Sequence, residues 1–144
     1  MLIAVVIATL SWGLAATFDK IGLNSMPDMA ATSAVVVRQI IGLLVVCIWS
    51  AFTGLHKEIR RVPSSAWLQL GISGTFGVGI GGVAYFYAAQ SGQISNVAVF
   101  CSGYPILTLL LAVPFLREAL TWHKALGTLL VIGGLAVLSS APGG

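Results

Sequence analysis

Arg38 is the residue best placed to do chemistry. It sits in the apolar run from about Met29 to Phe52, whose centre falls near residues 40 and 41. At 1.5 Å of rise per residue it lies roughly 4 Å from that centre. An arginine at such depth costs about 2.5–3.5 kcal/mol on insertion scales, so it is expected to face protein or water and to be paired. Asp19, near the outer end of the first apolar run, and Asp28, at the outer start of the second, could each reach toward it. Two readings follow. Arg38 anchors the carboxylate or phosphate of a solute through its planar fork of donors. Alternatively, it forms a structural pair with Asp19, or snorkels outward.

The other candidates are weaker. Asp19 and Lys20 form an ion pair or a coupling site near the end of the first apolar run. No run carries a carboxylate near its centre, which favours exchange or efflux down the solute gradient over proton pumping. Trp12, Tyr85, Asn96 and Tyr104 are candidate cavity-lining residues for a largely apolar solute, with packing as their alternative role. Pro105 falls near the middle of its run, where it removes a backbone hydrogen bond and kinks the helix.

Several chemistries are excluded by residue type. Cys47 and Cys101 lie inside apolar stretches without metal-ligand spacing, and read as small buried side chains. His56 and His123 both fall in or beside polar links, with no polar pocket around either. No metal, no cofactor and no enzymatic activity are expected. Gly77, Gly79 and Gly82 match the dinucleotide spacing GxGxxG, but no strand precedes them and the next acid, Glu118, lies far downstream. The basic residues form no patch interleaved with aromatics in a polar segment, so nucleic acid is not an expected partner.

The elements that must position these residues are spanning helices. Of 144 residues, 58% are apolar and 8% charged, with a mean hydropathy of +1.00. Soluble domains carry about 25% charged residues. A spanning helix needs about 20 mostly apolar residues. The sequence predicts an all-α integral membrane protein, a bundle of about five transmembrane helices over approximately 2–23, 29–52, 66–89, 94–116 and 122–138, in one domain covering 1–144. The first run lacks the basic flank of a cleaved leader, since no Lys or Arg precedes Lys20. Lys57, Arg60, Arg61, Arg117 and Lys124 fall on one side and Lys20 alone on the other, so the N-terminus is expected in the cytoplasm and the C-terminus, SSAPGG, outside. Trp49, Trp67 and Trp122 read as interfacial anchors. The third run carries Gly71, Gly74, Gly77, Gly79, Gly81 and Gly82, and Gly77 to Gly81 is a GxxxG that allows close helix approach. Glu118 is expected to bond backbone donors or Lys124, and Thr121 to cap the last helix.

The ordered residues also carry a family pattern. Trp12-Gly13, Lys20, Pro27 and Arg38 are followed by Tyr87-Ala88-Ala89, Ser95, Ala98 and Pro105. Then come Leu116-Arg117-Glu118-Ala119-Leu120-Thr121, Gly127 and Gly133. In this the chain resembles the EamA domain of the drug/metabolite transporter superfamily, as a single five-helix repeat unit. The resemblance implies transport of small metabolites, such as amino acids, sugars and toxic compounds, across the cytoplasmic (inner) membrane. Most relatives carry two such units in inverted orientation. A single unit is therefore expected to pair, as a homodimer or with a second five-helix unit. The competing functional expectation is a non-transport membrane subunit that scaffolds or regulates a partner.

Overall fold

The computed structural model describes residues 1–140; the last four residues of the expected tail lie outside the described ones. The chain is all-helical, with no strand among the described residues. Helix α1 spans Leu2–Asn24 and α2 Ala31–Thr53. Two short 3₁₀ turns, Leu55–Lys57 and Ile59–Arg61, carry the basic link. The next crossing is built from α3, Ser64–Gly74, a π-helical segment, Thr75–Ile80, and α4, Gly81–Ser91. Then come α5, Ile94–Cys101, α6, Tyr104–Leu116, and α7, Trp122–Ser139. Taken as continuous crossings, these make five helices long and apolar enough to span a membrane, over Leu2–Asn24, Ala31–Thr53, Ser64–Ser91, Ile94–Leu116 and Trp122–Ser139.

Several hydroxyl groups inside these helices are satisfied locally. Thr9 donates to the Val5 carbonyl (3.0 Å), Thr75 to Gly71 (2.9 Å) and Ser91 to Tyr87 (3.2 Å). Such bonds one turn back let a polar side chain sit in a spanning helix without an orphan donor.

The described chain divides into two compact units, Met1–Ser91 and Gly92 onward. In the first, the buried apolar residues are Leu23 on α1, Ala31, Ala34 and Val35 on α2, and Phe86 and Ala89 on α4. On α2 and α4 their spacing of three and four residues makes one stripe per helix. All lie toward the same end, beside the α1–α2 link and the last turns of α4. Gly82 is buried there too, and a Cβ on it would stand 3.8 Å from Val35 Cγ1, an ordinary contact. Small residues thus bring α2 and α4 together. Most other large apolar side chains point outward, as expected where the solvent is hydrocarbon.

The π segment explains one glycine. The Gly81 N–H bonds the Phe76 carbonyl, five residues back, which is the π pattern. A Cβ on Gly81 would stand 2.8 Å from that same oxygen. A Cβ on Gly71, Gly74, Gly77 or Gly79 would meet nothing within 4 Å, so their faces are open.

In the second unit the crossing is interrupted at Ser102–Gly103, and Pro105 occupies the first turn of α6. There its missing N–H removes no helical bond. The break therefore precedes the proline, and Gly103 occupies it: a Cβ there would meet Leu135 Cδ1 of α7 at 2.8 Å and the Phe100 carbonyl at 3.2 Å. Pro114 is the proline inside α6, which ends at Arg117 in a left-handed conformation (φ 54°). The Thr121 hydroxyl accepts the Lys124 N–H at 3.4 Å and caps α7. Lys124 Nζ bonds Glu118 Oε2 at 2.7 Å.

Candidate functional site

Asp19, Lys20, Arg38 and Gln90 collect where α1, α2 and α4 converge. Arg38 follows Ala31, Ala34 and Val35 along the buried stripe of α2, so helical spacing delivers it to the same face. By the observed bounds of α2 it is about 6 Å from the helix midpoint. Its Nε stands 3.4 Å from Asp19 Oδ1 of α1. Its guanidinium carbon lies 5.6 Å from the centre of the Phe86 ring of α4. A guanidinium over an aromatic face is attracted by the ring's negative quadrupole. Phe86 is held in turn by Tyr85, edge to face at 5.6 Å and 75°. Phe86 is 2% exposed, so the platform itself is fixed by packing.

Lys20, adjacent to Asp19, takes a different role. Its Nζ donates to the Ala89 carbonyl at 2.6 Å and to the Gln90 carbonyl at 3.5 Å. These belong to the last turn of α4, where carbonyls lack helical partners and the helix dipole favours a cation. The Gln90 side chain continues the connection by donating to the Met29 carbonyl at 3.0 Å. Three helices are thereby tied at one end by polar contacts around an apolar knot.

The structure brings together Arg38, Asp19, Lys20 and Tyr85, the last through Phe86. Trp12 lies on α1 two turns before Asp19 and so on the same helix face; it is exposed. Asn96, Tyr104 and Pro105 belong to the second unit. Asn96 is half-buried on α5. Tyr104 and Pro105 line a groove of about 510 Å³ between α6 and α7, with Thr108, Thr128 and Lys124 among its walls. Among the described residues no three His, Cys, Asp or Glu side chains group as metal ligands.

Sequence reasoning paired Arg38 with Asp19 as one option but missed the clamp made by Lys20. Its acceptors are backbone carbonyls, which every residue carries, so no sequence signal marks them. It also did not single out Phe86 from the other deep aromatics as the surface beneath Arg38.

The sequence pattern of the EamA-like transporter family matches residues 1–140. A Sinorhizobium protein called an uncharacterized transporter in the cobO 3' region is 29% identical over 126 residues, covering 88% of this chain and 86% of that protein. No solved structure matches.

Proposed function

We propose, proceeding from the fact that this chain belongs to the EamA-like transporter family, that it is a secondary transporter, or a half-unit of one, for a small organic metabolite. That family makes it a multi-pass membrane protein and a transporter of the drug/metabolite type. The solute in our reading is amino-acid-like or drug-like, and it moves outward across the cytoplasmic membrane.

One observation carries the finer reading. Arg38 lies within a spanning helix, on a buried aromatic platform, with its side chain 40% exposed. A cation at that depth is costly to insert, and its open side supports the reading that it is kept to meet a passing solute. In the first unit, Arg38, Tyr85 and Trp12 are the residues we assign to solute contact. In the second unit, taken by itself, we assign Asn96 and Tyr104, the latter on the groove of that unit. Asp19 and Lys20 supply the ion pair and the clamp beside them, and Pro105 follows the helix interruption.

Charge and packing support our reading of orientation and pairing. With five of the basic residues, Lys57, Arg60, Arg61, Arg117 and Lys124, on one side and Lys20 alone on the other, the N-terminus is cytoplasmic and the C-terminus outside. The open glycine faces of Gly71, Gly74 and Gly77 support pairing with a second copy or a second five-helix unit.

The test is solute exchange in proteoliposomes containing the purified chain alone, loaded with a pool of amino acids and small metabolites and read by mass spectrometry. Saturable loss of one solute class supports a complete transporter. A folded preparation that moves nothing, alone or with a second five-helix unit, defeats this reading and leaves a scaffolding membrane subunit.

A further inference from the structure

Asp19 and Arg38 are neighbours that fit each other poorly. Their 3.4 Å separation is longer than the roughly 2.7–2.9 Å of a charge-assisted hydrogen bond. Asp19 Oδ2 is buried and has no hydrogen-bond partner. The Asp19 side chain is 10% exposed, against 40% for Arg38. The carboxylate is walled in while the guanidinium has an open side. A guanidinium offers five donors in a planar fork. Here Nε is turned to Asp19 and one face lies on Phe86, and neither contact engages the Nη edge.

We infer that Arg38 holds the carboxylate of the transported solute and that Asp19 is a resident counter-ion with which that carboxylate competes. The inference rests on the transporter reading above. It adds a solute class, monocarboxylates and zwitterions, and a role for Asp19. A well-formed bidentate pair between the two residues would resist displacement. The long contact through Nε alone leaves donors on Arg38 and an acceptor on Asp19 unused. An arriving carboxylate gains two short parallel bonds that Asp19 does not make. When the solute leaves, Asp19 still compensates the charge, so no bare guanidinium is left at depth. Lys20 holds α1 against the end of α4 and thereby keeps Asp19 within reach of Arg38. Asp19 is thus a positioning and specificity residue that acts through Arg38.

The experiment measures binding to the purified full chain in lipid nanodiscs, with exchange measured in proteoliposomes. The probes are L-leucine, its carboxylate-only analogue 4-methylpentanoate, and its amine-only analogue 3-methylbutylamine. They are rematched to another side chain if the mixed-pool assay names one. The two carboxylates should bind and the amine should bind at least tenfold more weakly. Asp19→Asn should lower the apparent Kd of both carboxylates at least threefold while slowing exchange at saturation. Asp19→Glu should restore wild-type affinity, and Arg38→Gln should weaken carboxylate binding at least tenfold. A merely structural Asp19 would leave Kd unchanged, or weaken it together with thermal stability, and either result overturns the inference. So does an amine that binds as tightly as L-leucine. Flux confined to solutes without a carboxylate overturns it while leaving the transporter reading intact. Absence of all flux defeats the transporter reading itself.

Discussion

The guanidinium of Arg38 lies over the ring of Phe86 at 5.6 Å, and this contact ties the most costly side chain of α2 to the largest buried one of α4. An aromatic ring fits this place because its face receives positive charge while its edges pack as hydrocarbon. Phe86→Leu keeps most of the packing and removes the quadrupole. It should destabilise the protein by about 1–2 kcal/mol. Phe86→Ala should cost about 3–5 kcal/mol through the cavity it leaves. Thermal unfolding in detergent, followed by circular dichroism, orders the two. A Phe86→Leu variant that melts with the wild type would remove the cation–π contact from the account.

Lys20 should tolerate arginine and not methionine. Its ammonium meets the terminal carbonyls of α4, so Lys20→Met deletes a charge-assisted cap, at about 1–2 kcal/mol. Lys20→Arg keeps donors at that place. Limited proteolysis at the Ser25–Asp28 link, together with melting temperature, reads the effect. The contact is wrong if methionine melts with the wild type.

Neighbouring glycines should differ sharply. Gly81→Ala places a methyl group 2.8 Å from the Phe76 carbonyl and should cost about 1–3 kcal/mol, or unwind the π segment. At Gly79 a Cβ would meet nothing within 4 Å, and alanine there should be neutral or stabilising by up to about 1 kcal/mol. Melting curves of the two single variants decide it; a harmless Gly81→Ala means the backbone of the segment is not held by its five-residue bond.

At the start of α7 the cap should outweigh the ion pair. Thr121→Ala loses a side-chain acceptor for the Lys124 N–H and should cost about 1 kcal/mol. Glu118 and Lys124 are 48% and 40% exposed, so Glu118→Gln should cost no more than about 1 kcal/mol, falling further in high salt. A larger loss for Glu118→Gln than for Thr121→Ala would mean the pair is shielded from solvent.

The sequence by itself determined the five spanning helices, because apolar length is a local property and hydrocarbon demands internally bonded backbone. It also determined that Arg38 needs a partner and that Thr121 begins a helix. Tertiary structure decided which partner and in what geometry. Whether Asp19 engages one nitrogen or two depends on how α1, α2 and α4 lean together at Gly82 and Val35, which no periodicity encodes. The clamp of Lys20 on α4 was illegible because its acceptors are backbone carbonyls. The interruption at Ser102–Gly103 was hidden for another reason. Pro105 advertised a break, but proline fits the first turn of a new helix, so the chain parts just before it, at a glycine packed against Leu135.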